Sequence, residues 1–325
     1  MRQRASRRTL LQGGIAVALA ARMRPASAQT GALAFSSPIG LPGRVLGDGF
    51  LVRHGYACEN TWYNPGWLHT GEDFYLPDGN AAGAGVYAVA GGEIVFAGSE
   101  YPGFVVIVKH AADLYSMYGH LNHALDVDRG RVERGQRLGS VLDRTDGRAP
   151  SHLHFEIRTF LTRTEVNGDA PRYSYGCGFS CAPGPGYWPI DAPEHSSAMG
   201  WRNPTHTLAR RAFTGAPPGD AGVVVASGAG DSAALWSAPS DYDGAGRIGD
   251  LPLTAGDRYR LLSIATGRES SLETSAEGYR LWYRITVPDI GPAWVQAAIP
   301  SVNDTGSDGR PSSIRFDFLQ VTVAG

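Results

Sequence analysis

The chain has 325 residues, with 29 basic against 31 acidic side chains and a formal charge of −2. That length holds two ordinary domains with sizeable cores, and a hydrophobic content of 42% is that of a folded protein. An acidic balance without a basic cluster argues against nucleic acid as a partner, and beyond the N-terminus no apolar run is long enough to cross a bilayer.

In chain order, the first segment reads as an address rather than as fold. "SRRTLLQ" (Ser6–Gln12) carries paired arginines, "GGIAVALAA" is a mild apolar run, and "ASA" (Ala26–Ala28) supplies a small-x-small cleavage pattern. This looks like a twin-arginine export signal, residues 1–28, so the mature chain is expected in the periplasm or at the cell wall. Six arginines and no acidic residue lie in it, which leaves 23 basic against 31 acidic side chains and a mature charge of −8.

From Val86 to Ile157 the pattern is β. "VYAVAGGEIVFAG", "FVVIVKHA", "LYSMYGHL" and "HLHFEIRT" are short apolar or alternating runs broken by Gly, Asp and Asn, and "ERGQRLGSVL" reads as a turn into another strand. An antiparallel sheet with one apolar and one functional face is expected. Residues 160–201 read as a long, aromatic, Gly- and Pro-rich insert. Residues 210–222, with Pro217 and Pro218, read as a linker. Residues 223–325 then carry four short strand patterns, "AALWSAP", "DRYRLLSIA", "YRLWYRITV" and "AWVQAAI", expected to form a separate small β-barrel. Of the three cysteines, Cys58, Cys177 and Cys181, two could pair in an oxidising compartment, and the connectivity stays open.

The chemistry gathers around "SHLHFEIRT". Side chains at i and i+2 of a strand share a face, so His152 and His154 look into one space, with Leu153, Phe155 and Ile157 packing behind. Two imidazoles converging on one face need a common object, and a metal or a reacting group is the usual one. Upstream, "WLHTGEDFYLP" holds His69 and Asp73. If that stretch is extended, both point the same way, with Gly71 leaving room between them and Glu72 and Phe74 facing the other side. One imidazole and one carboxylate from here, plus one imidazole of the HLH pair, make three ligands with a vacant fourth position, the pattern of a catalytic zinc. The remaining HLH histidine and His120 of "LYSMYGHL" then stand beside a zinc-bound water whose pKa the metal lowers. One could move a proton and the other stabilise an oxyanion. Hydrolysis of an amide bond is the reaction these parts serve. His110 reads as a structural residue of the sheet; His54, His123, His195 and His206 read as solvated.

In order and spacing, "HTGEDF", "YGHL" and "HLHFEIR" resemble the three motifs of the lysostaphin-like (LytM-type) zinc metallopeptidases, which cut peptide cross-links of peptidoglycan. The likeness runs over roughly Pro38–Leu208, with "WRNPTHTL" resembling that family's closing segment. It implies one zinc per chain held by His69, Asp73 and His154, with His120 and His152 as the catalytic pair. It implies an all-β fold, an antiparallel metallopeptidase domain over residues 29–209, and peptidoglycan stem peptides or cross-bridges as partner. The C-terminal patterns loosely resemble bacterial SH3-like wall-binding domains. Three departures stand out: Asp146 and Pro150 in the loop before HLH, Glu72 where an aliphatic residue is common, and the long insert. They bear on specificity more than on activity.

Overall fold

Strand formation follows the apolar runs closely. "FVVIVKHA" is the strand Phe104–Ala111 and "LYSMYGHL" the strand Leu114–Leu121, joined as an antiparallel hairpin. In the computed structural model, the described residues are 33–61, 64–99, 103–122, 129–147, 149–166, 184, 186–217, 219–240, 243–267, 279–301 and 313–322. The export-signal reading, Cys177, Cys181, His123 and residues 167–183 and 185 of the insert lie outside them. The described residues all belong to one unit, Ala32–Gly325.

Among the described residues every strand pairing is antiparallel, and the fold is all-β with two short helices. The largest sheet runs, neighbour by neighbour, through Arg131–Val132, Gly92–Gly98, Phe104–Ala111, Leu114–Leu121, Leu153–Arg158, Glu72–Tyr75, Leu51–His54, Ile314–Phe316 and Ala298–Pro300. The HLH strand Leu153–Arg158 therefore sits centrally, between the strand ending in "YGHL" and the strand that carries Asp73. Register sets the site: His154 lies opposite Gly119 on one side and opposite Asp73 on the other. Leu153, Phe155 and Ile157 point into the core together with Val52, Phe74, Val106 and Tyr118. Each such side chain, fully buried, contributes about 1.5–3 kcal/mol.

The other face differs from the simple expectation. His154, Glu156 and Arg158 share it, and all are buried. A row of charged groups tolerates that because its members pair with one another and with neighbouring side chains.

The chain also does not part where composition suggested. The expected linker 210–222 begins inside a helix, Pro204–Thr214. Asn203 caps it by accepting from the His206 N–H at 3.0 Å, and Pro204 occupies its first turn. Its Leu208, Ala209 and Phe213 pack on the main core. Beyond it, the expected strands form a seven-stranded sheet: Arg247–Pro252, Ser232–Trp236, Gly291–Gln296, Leu281–Val287, Arg258–Thr266, Ala221–Val225 and Phe318–Thr322. That sheet is not walled off. Ala298–Pro300 and Ile314–Phe316 leave it to extend the large sheet, with Ile314 opposite Val52. Val223, Leu281, Ile285 and Phe318 share one apolar core with Val52, Phe74 and Phe155. Pro and Gly punctuate the chain locally, whereas the packing is decided by apolar residues on either side of them.

His110 is structural, as expected. Its Nδ1–H donates to the Gly91 carbonyl at 2.9 Å, and Nε2 meets the Ser116 hydroxyl at 2.8 Å. Burial pushes its pKa down to about 4, although the Gly91 hydrogen bond opposes this. The folded chain therefore holds a neutral imidazole that the unfolded chain would protonate below pH 6.5. Its contribution is present above that pH and is lost as the pH falls towards 4. Thermal unfolding at pH 7.5 and pH 5 checks this: the wild type is expected to lose more stability on acidification than His110→Gln.

Candidate metal centre

His69 ends the strand Asn64–His69, which belongs to a small three-stranded sheet with Glu59–Asn60 and Tyr187–Pro189. Asp73 lies in the strand Glu72–Tyr75 of the large sheet. A bend at Thr70–Gly71 joins the two. The single extended strand expected across positions 69–73 is thus replaced by a corner, and the corner, rather than a two-residue period, turns both side chains to one point. Gly71 makes it possible. A Cβ there would lie 2.4 Å from the Phe155 carbonyl oxygen, 2.9 Å from Glu156 Cγ and 3.1 Å from His154 Cε1. Gly71→Ala is expected to cost about 1–3 kcal/mol by overpacking and to displace His154; urea unfolding and metal content check both.

His69, Asp73 and His154 converge, and all three are buried. His69 Nε2 lies 3.0 Å from His154 Nδ1 and 3.4 Å from Asp73 Oδ1, and His154 Nδ1 lies 3.0 Å from Asp73 Oδ1. The opposite nitrogens fix the tautomers. His69 Nδ1–H donates to the Gly55 carbonyl at 3.3 Å, and His154 Nε2–H donates to Glu156 Oε1 at 3.1 Å. Two bare imidazole nitrogens and a carboxylate oxygen therefore face one another, an arrangement that calls for a cation. Zinc bonds of about 2.0–2.1 Å in a tetrahedral set need donor–donor edges of about 3.3–3.4 Å, so donor chemistry and spacing both fit zinc. Without metal the same field holds a proton: burial opposes the charged His154, but hydrogen bonds to Asp73 and Glu156 outweigh it and raise its pKa to about 9. Asp73 is held well below the carboxylate range, burial being overcome by His69, His152 and His154.

Glu156 anchors this arrangement. Besides His154 it accepts from the Thr70 hydroxyl at 2.7 Å and from Trp201 Nε1–H at 3.0 Å, and the Arg158 guanidinium stands 3.6 Å away. Burial raises its pKa, yet these partners bring it down to about 2. Sequence reasoning passed over Glu156, although the strand period that pairs 152 with 154 continues to 156.

The other two expected residues adjoin the donors. His152 Nδ1–H donates to the Pro150 carbonyl at 2.7 Å, leaving Nε2 as the bare nitrogen, 3.7 Å from Asp73 Oδ2. Burial lowers its pKa against the pull of Asp73, so the ring is neutral at physiological pH. Tyr75 stacks on it at 4.6 Å. His120 meets His152 edge-on, ring centroids 4.6 Å apart, and stands 6.1 Å from His154. It holds a left-handed backbone, φ +60°, at the end of its strand, with its carbonyl tied to Leu142 N–H at 2.8 Å. Backbone strain of this kind persists only where surrounding structure imposes it, and it concentrates at functional sites.

Of the histidines expected to be solvated, the three described ones are partly or fully buried. His206 is fully buried, and His195 caps a short helix, Ser196–Met199. His54 packs its ring 4.2 Å from His69, and burial, then the His69 charge, push its pKa down to about 3. Its place at the end of Leu51–His54, paired with the strand of Asp73, brings it in; no local motif marks it. The insert returns to the site as well, since Tyr187 pairs with His69 and packs 5.4 Å from its ring.

Known proteins give this geometry a family. The model of peptidase family M23 matches residues 68–168, which span all five histidine and aspartate positions. Lipoprotein NlpD of Yersinia enterocolitica is 33% identical over 78 residues, a stretch that makes up 78% of that protein. The chain belongs to peptidase family M23. Cell division protein DipM of Caulobacter vibrioides is 40% identical over 78 residues, and murein hydrolase activator NlpD of Salmonella dublin 33% over the same length. These stretches are 23% of this chain but only 13% and 20% of those two proteins. Among solved structures, lysostaphin of Staphylococcus simulans aligns over 84% of this M23 chain and 96% of its own, at 15% identity and a TM-score of 0.33.

Proposed function

We propose that the chain is an exported zinc endopeptidase that hydrolyses peptide cross-links of bacterial peptidoglycan. One observation carries this reading: three donors of zinc chemistry surround a single point, and two further imidazoles stand in ring contact beside it. His69, Asp73 and His154 would hold the metal, one per chain. Bound zinc supplies a Lewis acid that polarises the scissile carbonyl and acidifies a water.

The chain's own groups do the rest. His152, neutral and with Nε2 bare, accepts the proton that the attacking water gives up, while Pro150 and Tyr75 hold the ring in place. It returns that proton to the amine nitrogen as the C–N bond breaks, and the water's second proton follows, so the products are a carboxylate and an ammonium group. His120 donates a hydrogen bond where negative charge develops on the carbonyl oxygen. Glu156 keeps His154 in the tautomer that presents Nδ1. Residues 1–28 would direct export, and the C-terminal sheet would hold the polymer near the site.

A second reading has a specific support: relatives named as murein hydrolase activators. In that case the chain would bind wall and stimulate another hydrolase. Assay of the purified chain on cross-linked muropeptide dimers, alone and together with a wall amidase, separates the two. Release of monomers by the chain alone supports the peptidase; stimulation of the amidase without any such release supports the activator.

A further inference from the structure

Glu72 is fully buried next to Asp73. A carboxylate in that position needs partners, and they come from far along the chain. The Thr205 N–H and hydroxyl, in the first turn of helix Pro204–Thr214, donate to Oε1 at 3.2 and 2.8 Å. The hydroxyl of Tyr279, a residue that is 2% exposed and lies two positions before the strand Leu281–Val287 of the C-terminal sheet, stands in the electrostatic field of this carboxylate.

That hydroxyl touches a second segment. It accepts the Tyr56 N–H at 2.5 Å. Gly55 is what admits it, because a Cβ at that position would lie 2.5 Å from Tyr279 Oη. The segment 55–58 in turn wraps His69. The Gly55 carbonyl accepts from His69 Nδ1–H, Ala57 N–H donates to the His69 carbonyl at 2.8 Å, and the Cys58 carbonyl accepts His69 N–H at 2.9 Å. Ala57 takes a left-handed φ of +60° to do so.

We infer that Tyr279 is a positioning residue of the metal centre. By accepting the Tyr56 N–H, its hydroxyl fastens the loop that orients His69 to the C-terminal half of the chain, which thereby helps to complete the site. The inference rests on the zinc reading above.

The test uses the purified chain and two variants that each remove one buried phenolic hydroxyl. Tyr279→Phe breaks the tie, whereas Tyr283→Phe breaks a comparable contact to Gln320 Nε2, 3.1 Å long and distant from the donors in the fold. Zinc affinity is measured by competition with a chromogenic chelator, and ligand geometry by the visible absorption of the cobalt(II)-substituted protein. Tyr279→Phe is expected to weaken zinc by about 10-fold, the lower end for loss of an outer-shell contact, and to shift the cobalt bands. Tyr283→Phe is expected to lower the melting temperature without either effect. Unchanged zinc affinity and an unchanged cobalt spectrum in Tyr279→Phe would overturn the inference. A wild-type chain that takes up neither metal would instead remove the zinc reading beneath it.

Discussion

Asp73→Ala is expected to abolish both metal uptake and cross-link cleavage while leaving wall binding in place. Asp73 is the one anionic donor and touches three histidines: His154 at 3.0 Å, His69 at 3.4 Å and His152 at 3.7 Å. Its loss leaves two imidazoles to hold a dication, and catalytic zinc sites use three protein ligands. Removal of a mere outer-shell partner costs about 10–100-fold in affinity or activity, and a direct ligand must exceed that range. Metal analysis of the purified variant, with sacculus digestion followed in parallel, is the check. A variant that digests sacculi as fast as wild type would place the site elsewhere.

His152→Gln should separate chemistry from metal binding. The imidazole lies beside the donor triangle without belonging to it, and its Nδ1–H is already committed to Pro150. Glutamine keeps the length and polarity of the side chain but cannot carry a proton at neutral pH. Zinc stoichiometry is expected to remain at wild-type level while the rate of cleavage falls by about 100- to 10,000-fold, the usual range for a general acid–base group. Titration with zinc and a rate measurement on one preparation decide the matter. Loss of zinc together with activity would make His152 a ligand, and unaltered cleavage would strip it of its role.

Much of this arrangement is legible in local pattern. "FVVIVKHA" and "LYSMYGHL" declare their strands through apolar runs with β-branched and aromatic residues, and the structure places those strands at the same residues. The convergence of His152 and His154 follows from strand geometry alone. The corner at Thr70–Gly71 is less legible, because i and i+4 donors fit an extended, helical or bent path equally well until a glycine's surroundings are known. The buried polar face of the HLH strand is hidden for a different reason. Glu156 and Arg158 look solvent-facing in a sequence, and partners such as His154, Trp201, Thr70 and each other make their burial tolerable. What escapes entirely is contact across long separations. The pairing of Val52 with Ile314, the approach of His54 to His69 and the reach of Tyr279 to Tyr56 have no local signature. The helix Pro204–Thr214 did carry one in its Asn203–Pro204 cap, which the proline-rich stretch just beyond it obscured.

The central claim is tested most directly by incubating the purified chain with isolated peptidoglycan, with and without a zinc chelator, and identifying released fragments by mass spectrometry. The account predicts loss of cross-linked dimers in the untreated sample, its suppression by chelator and its recovery when zinc is restored. The fragment masses would also name the bond. No cleavage by a chain that carries one zinc would contradict the account and leave the donor triangle to an activator of some other wall hydrolase.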